Sequence, residues 1–240
     1  MRIVGLCLVA ALAATAVAAT SALAEPSGEF GTCVKATGGK YENSGCTKAA
    51  KEVSKEKFEW HALTEPVSFS GKLKPTTVAV LETIKGTKVT CKNATESGEV
   101  ANTHEVGKVI ATFEGCETGG IPCQDVGAAS GTIVTAAMSG ATGVEKKGTT
   151  PPINNKLAQE LHPTAGGNLV EFECAGLASF AKGSLIHPTS TGKMATKVTE
   201  KFAQAKGEQK PSHFEGEAED SHTLVAAIGG GFEEEAATAL

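Results

Sequence analysis

The sequence contains almost no arginine and very little aspartate. Arg2 is its only arginine, and Asp125 and Asp220 are its only aspartates. Because the arginine fork is the usual bidentate grip on phosphate and on guanine, this composition disfavours a nucleotide or nucleic-acid ligand. The formal net charge of −5 at pH 7 disfavours a polyanion for the same reason. We therefore expect no nucleic-acid partner.

Sequence motifs of the common enzyme classes are also missing. The chain contains no G-x-S-x-G, no H-E-x-x-H and no P-loop motif. Asp220, Ser221 and His222 have the residue types of a hydrolase triad, but neighbours on a strand point to opposite faces and cannot assemble with one another. The six histidines are dispersed, and none lies at zinc-ligand spacing from a cysteine. We expect no metal site and no cofactor, and the prediction leans against an enzyme.

The first residues have the pattern of a secretory signal peptide. Arg2 is followed by an apolar run over residues 3–19, and Ala22 and Ala24 are the small residues that a signal peptidase requires. The run barely reaches bilayer length and lacks a basic stop-transfer flank, which argues against an N-terminal anchor. We expect residues 1–24 to be removed. The mature protein would then be secreted to the extracellular space or cell envelope, with no membrane span.

An even number of cysteines follows the predicted signal peptide, which predicts three disulfides in an exported chain. These cysteines are Cys33, Cys46, Cys91, Cys116, Cys123 and Cys174. The first two flank a Gly-Gly turn, as do Cys116 and Cys123, so each of these pairs is expected to close on itself. The third bridge would then join Cys91 to Cys174 between distant strands. Metal–thiolate ligation is the alternative, and no C-x-x-C pair supports it.

Short runs with alternating apolar and polar residues recur along the chain and predict strands. They lie at residues 67–69, 77–84, 87–91, 99–101, 108–113, 131–136, 168–174, 178–186, 195–202 and 223–228. Turn residues separate them, and the segment 154–162 is compatible with either a helix or a strand. The pattern predicts an all-β fold, an antiparallel sandwich or barrel of about ten short strands.

The predicted domain organisation has a small unit before the main β domain. Residues 25–65 would form a disulfide-stapled N-terminal unit, residues 66–232 the sandwich or barrel, and residues 233–240 an acidic tail. Trp60 and Tyr41 are the only residues of their kind. We expect them to cover the Cys33–Cys46 bridge, with a ligand-stacking platform as the alternative. The charged connector at 48–58 has the composition of one short helix.

Several segments together resemble a large family of uncharacterised secreted proteins of soil actinobacteria. They are FGTCVK at 30–35, GGKYENSGCT at 38–47, FEW at 58–60, LETIKGTKVTCK at 81–92, VIATFEGCE at 109–117, VEFECAGL at 170–177 and KGEQKPSHFEGE at 206–217. The resemblance spans nearly the whole chain after the signal peptide. It implies export, a β-rich fold and a strand at 157–161, but no reaction, ligand or active-site residue.

Glu171 and Glu173 are the only weak catalytic candidates. Alternation places both carboxylates on one face of a strand, at a separation that a glycosidase pair can use. A solvated polar face is the more ordinary explanation. We expect a secreted, non-catalytic structural or binding module whose partner is an unknown extracellular ligand or cell-envelope component. The alternatives are a small-ligand carrier with a barrel interior and a carbohydrate-active enzyme that uses the two glutamates.

Overall fold

The computed structural model of the protein is all-β and antiparallel, as the sequence predicts. It describes residues 29–51, 56–82, 86–149, 155–189, 197, 202, 204–205, 208–209, 214–215, 223–228 and 235–238. None of these segments forms a helix, so none is a helix that could cross a membrane. The predicted signal peptide, most of the predicted strand at 195–202 and the Asp220-Ser221-His222 segment lie outside the described residues.

The described residues form nineteen strands in chain order. They are β1 (Gly31–Thr37), β2 (Glu56–Ala62), β3 (Val67–Lys72), β4 (Ala79–Glu82), β5 (Lys88–Cys91), β6 (Asn93–Val100), β7 (Glu105–Glu114), β8 (Glu117–Thr118), β9 (Ile121–Gln124), β10 (Ile133–Val134), β11 (Met138–Lys146), β12 (Lys156–Pro163), β13 (Asn168–Cys174), β14 (Leu177–Gly183), β15 (Leu185–Pro188), β16 (Gln204–Ala205), β17 (Glu208–Gln209), β18 (Thr223–Ile228) and β19 (Glu235–Thr238).

The first large sheet has seven strands in the order β15-β12-β11-β7-β6-β3, with β10 paired to β7. The ambiguous segment at 154–162 contributes the strand β12, as the family resemblance implies. The strand β11 was not predicted, because its residues, MSGATGVEK, are mostly small and give no apolar alternation. The small residues have a structural reason, since a Cβ atom on Gly140 would collide with the carbonyl oxygen of Glu160 in the neighbouring strand.

The second large sheet has eight strands in the order β19-β18-β14-β13-β9-β8-β5-β4. Read from β4 to β19 the strands follow the chain order, but they are not consecutive, because the chain leaves this sheet after β5, β9 and β14 to contribute strands to the first sheet. The strand β19 consists of Glu235–Thr238, which belong to the predicted acidic tail, and it pairs with β18. These four residues form the edge strand of the sheet.

Two apolar clusters fill the space between the sheets. The first contains Val89, Phe172 and the four cysteines of the second sheet, together with Ile133 from β10. The second contains Val109 and Met138 of the first sheet and Leu169 of β13. Each cluster draws residues from both sheets, so the two large sheets share their apolar core, as expected for an antiparallel sandwich or barrel.

The N-terminal unit is a hairpin of β1 and β2 that forms its own two-stranded sheet. The connector predicted to be helical is not helical at 48–51, its end belongs to β2, and residues 52–55 lie outside the described residues. Phe30 attaches the hairpin to the main β domain, since its N–H donates to the Thr103 carbonyl at 2.8 Å. Its side chain also packs against the second cluster.

Candidate functional site

The three disulfides join Cys33 to Cys46, Cys91 to Cys116 and Cys123 to Cys174. The first pair confirms the prediction for the N-terminal unit. The other two correct it, because the sequence analysis expected Cys91–Cys174 and Cys116–Cys123. All six cysteines after the predicted signal peptide are therefore paired, which is typical of proteins in an oxidising compartment.

The correction has a geometric cause in the order of the strands. Cys174 lies directly opposite Cys123, and the pairing of Thr90 with Glu117 places Cys91 opposite Cys116. The four cysteines thus form one row across β5, β8, β9 and β13. If Cys116 had bonded to Cys123, the other two sulfurs would lie three strand spacings apart, about 14 Å, which no disulfide can span.

An open cleft of about 570 Å³ lies where the two sheets meet. Its polar lining consists of Asp125, Thr135, Asn168 and Glu171, and its apolar lining includes Val134 and Val170. The backbone bridge between Thr135 and Val170 ties the sheets together at this point. Two carboxyl groups and no lysine line the cleft among the described residues. The arrangement therefore favours a ligand that donates hydrogen bonds or carries positive charge.

Asp125 is held at the edge of the cleft by the loop that follows β9. One of its carboxylate oxygens accepts a hydrogen bond from the Val134 N–H at 2.9 Å. The other oxygen is shielded from solvent and has no hydrogen-bond partner within the described residues. Burial raises the pKa of the Asp125 carboxyl above its ordinary value, and the hydrogen bond from Val134 opposes that rise.

Glu171 and Glu173 lie on one face of β13, as predicted, and Phe172 and Cys174 face the core. The two carboxylates have different neighbours. Glu171 accepts a hydrogen bond from the Asn168 amide at 2.7 Å and lines the cleft. Glu173 accepts one from the Gln124 amide at 3.1 Å and does not line it. Only one member of the suspected glycosidase pair therefore faces the cleft.

Trp60 and Tyr41 lie in the N-terminal hairpin, away from the cleft lining. Trp60 is directly opposite Cys33 in the β1–β2 ladder, and a Cβ atom on Gly31 would collide with its indole ring. Tyr41 forms isolated bridges with Ala49 and Phe58. Both aromatic rings are half-buried. These positions fit aromatics that pack against the Cys33–Cys46 bridge.

The structure brings together three polar residues that the sequence analysis did not single out. His162 Nδ1 lies 2.8 Å from a carboxylate oxygen of Glu160, and His162 Nε2 lies 3.5 Å from the Ser139 hydroxyl. Ser139 and His162 face each other across β11 and β12. The only sequence signal is the E-x-H spacing on β12, which places Glu160 and His162 on one strand face.

The described residues contain no group of three or more histidine, cysteine, aspartate or glutamate side chains arranged to hold a metal ion. No protein-family model matches the chain. Comparison with curated proteins finds no similar sequence, and comparison with solved structures finds no similar fold.

Proposed function

We propose that the protein is a secreted extracellular module that binds a ligand in the cleft between the two sheets and does not convert it there. The observation that carries this proposal is the cleft itself. Its volume of about 570 Å³ falls in the range of small-molecule sites, and polar groups from both sheets converge on it. The partner would be an extracellular molecule or a component of the cell envelope.

Three features support export. The first residues have the pattern of a signal peptide, all six later cysteines are paired, and the quoted segments resemble a family of secreted proteins. Disulfides of this number would not persist in a reducing compartment.

The lining indicates the chemical class of the ligand. Asp125 and Glu171 are both acceptors when ionised, and the Asn168 amide holds the Glu171 carboxylate in a fixed position. The matching ligand carries ammonium or hydroxyl groups, as amino sugars do. A hydrogen bond to a charged group contributes about 1.5 to 3 kcal/mol, so one such contact changes affinity by at least tenfold.

A carrier with an apolar interior is less well supported. The two core clusters occupy the space between the sheets. The apolar pocket beside Phe30, Leu63 and Val67 has a volume of only about 100 Å³. Small-molecule sites usually exceed about 300 Å³.

The test compares Glu171→Gln with Glu173→Gln, since the two residues share a strand face but only Glu171 lines the cleft. Ligand-observed NMR would measure binding of glucosamine oligomers, their N-acetylated forms and glucose oligomers. We expect the amine-bearing oligomers to bind. Glu171→Gln should lower their affinity about tenfold, and Glu173→Gln should change it by no more than about twofold. Equal effects of the two variants, or no binding of any oligomer, would contradict the proposal.

A further inference from the structure

The outer face of the first sheet carries a hydrogen-bonded chain of three side chains. Leu161 of β12 points into the second core cluster, so Glu160 and His162 point to the opposite face. His162 Nδ1 lies 2.8 and 3.0 Å from the two carboxylate oxygens of Glu160. If Nδ1 carries the proton and donates it to Glu160, Nε2 is the acceptor that faces the Ser139 hydroxyl.

The three side chains differ in their exposure to solvent, and the carboxylate is less exposed than the imidazole. The Glu160 side chain is 10% exposed, whereas the His162 side chain is 50% exposed. Ser139 is half-buried beside them. The carboxylate is therefore largely shielded from water and holds the imidazole strongly, while the imidazole remains open to a ligand on the sheet surface.

Gly140 fixes the distance between the two strands. A Cβ atom at this position would collide with the Glu160 carbonyl oxygen and with the backbone of Leu161. The glycine therefore lets β11 approach β12 closely, directly beside Ser139. Ser139 lies directly opposite His162 in the β11–β12 ladder, so the two side chains lie next to each other.

We propose that Ser139, His162 and Glu160 form a nucleophilic serine site that transfers acyl groups from small esters. This activity goes beyond the proposed function, and none of the three residues lines the cleft. The arrangement has the roles of a serine hydrolase triad, with nucleophile, base and orienting carboxylate. The contact between Glu160 and His162 lies within β12, and the contact between Ser139 and His162 joins β11 to β12. Neither of the two described pockets is lined by these residues, so a long acyl chain would gain no binding contacts there, and we expect a small acyl group.

The reaction has two balanced steps. Ser139 Oγ attacks the ester carbonyl carbon while its proton moves to His162 Nε2, and the C–O bond to the alcohol then breaks as the imidazolium returns that proton to the alcohol. Water next attacks the acyl-serine, gives one proton to Nε2 and releases the carboxylic acid as Ser139 regains its proton. Glu160 stabilises the imidazolium in both steps and remains ionised.

The test is covalent labelling of the folded, disulfide-bonded protein with an alkyl fluorophosphonate, which phosphonylates serines that have an activated hydroxyl. Peptide mass spectrometry should place the adduct on Ser139, and p-nitrophenyl acetate should be hydrolysed faster than in buffer. Ser139→Ala should abolish the label. Ser97→Ala is the matched control. Ser97 is an exposed serine of β6 in the same sheet, and it lies opposite Ile110 of β7 instead of a histidine. Its labelling should equal that of the wild type.

Glu160→Gln separates a positioning role from a merely structural one. It should slow labelling by at least about tenfold, because an amide cannot stabilise the imidazolium. The pH profile of the labelling rate is the second readout, and Glu160→Gln should alter the wild-type profile. Circular dichroism would verify that each variant is folded. The proposal is overturned if the folded wild type acquires no adduct on Ser139, or if Glu160→Gln labels at the wild-type rate and with the wild-type pH profile.

Discussion

The two large sheets are stabilised by different chemistry. The second sheet carries two disulfides in one row, and its cysteines are at most 6% exposed within an apolar cluster. The first sheet has no disulfide among its described strands. At its β12–β15 edge it buries polar side chains instead, among them Gln159, Glu160 and His187.

This difference predicts that the two large sheets respond to different stresses. A cross-link restricts the unfolded chain and is insensitive to pH, whereas a buried titratable group destabilises the fold when it must gain a proton. The second sheet should therefore be sensitive to loss of a disulfide, and the first sheet to acid. The four predictions below test this contrast.

The largest effect is expected from removal of the Cys123–Cys174 bridge. Its ends are 51 residues apart, so the chain-entropy model assigns it about 4 kcal/mol, and both sulfurs also pack in the core. Cys123→Ala with Cys174→Ala should lower the free energy of unfolding by about 5 kcal/mol. Cys33→Ala with Cys46→Ala should cost about 3 kcal/mol, because that bridge closes only 13 residues. Urea unfolding followed by circular dichroism measures both, and a larger loss in the second variant would refute the contrast.

Peptide mapping without reduction verifies the connectivity on which this prediction rests. Cleavage after lysine leaves Cys116 and Cys123 on one peptide, residues 109–146. The observed pairing predicts one species of three linked peptides, which also contains Cys91 and Cys174. The pairing expected from the sequence would give two separate species. Further cleavage after Glu117 separates the two central cysteines and assigns each bridge.

The second prediction concerns acid and His187 of β15. Burial lowers the pKa of His187 to about 4, whereas the unfolded value is about 6.5. Between these values His187 is protonated in the unfolded chain but not in the folded protein. The free energy of unfolding is therefore highest above about pH 6.5 and falls as the pH approaches 4. The expected loss is about 3 kcal/mol. His187→Gln should flatten the pH dependence of the unfolding free energy between pH 7 and 4. An unchanged slope would show that acid acts elsewhere.

Asp125 provides a control of opposite sign. The pKa of Asp125 is raised in the folded protein. Protonation of this carboxyl therefore stabilises the fold, and its ionisation destabilises the fold. Asp125→Asn removes that contribution. The loss of stability between pH 6.5 and 4 should therefore be somewhat steeper in Asp125→Asn than in the wild type.

The third prediction concerns Gln209, which protects the outer edge of the first sheet. Gln209 is fully buried, its carbonyl oxygen accepts from the Ile186 N–H at 3.1 Å, and its amide donates to the Ser184 carbonyl at 3.0 Å. Gln209→Leu leaves two backbone groups of this edge unsatisfied and should cost about 2 kcal/mol. Gln124→Leu is the control and should cost less. Size-exclusion chromatography would detect association through the exposed edge.

Some of this arrangement follows from sequence and some does not. Alternation in residues 168–174 correctly assigns Phe172 to the core and Glu171 to the outer face, and the cysteine count predicts three bridges. The pairing of the core cysteines depends on the order β5-β8-β9-β13, which no local signal carries. The contact between Ser139 and His162 depends on β11. The small residues of this strand let it lie close to β12, and they give no alternating pattern.

The smallest effect is expected at the glutamates of β13, on the outer face of the disulfide-bonded sheet. Glu171→Gln with Glu173→Gln keeps an acceptor oxygen for the amides of Asn168 and Gln124, so both hydrogen bonds can form again. The change in the unfolding free energy should be below about 0.5 kcal/mol, as for most surface substitutions. Ligand affinity should nevertheless fall, because Glu171 lines the cleft. A loss of stability above 1 kcal/mol, measured by urea unfolding at about pH 7, would mean that this outer face stabilises the sheet as the cysteine row does.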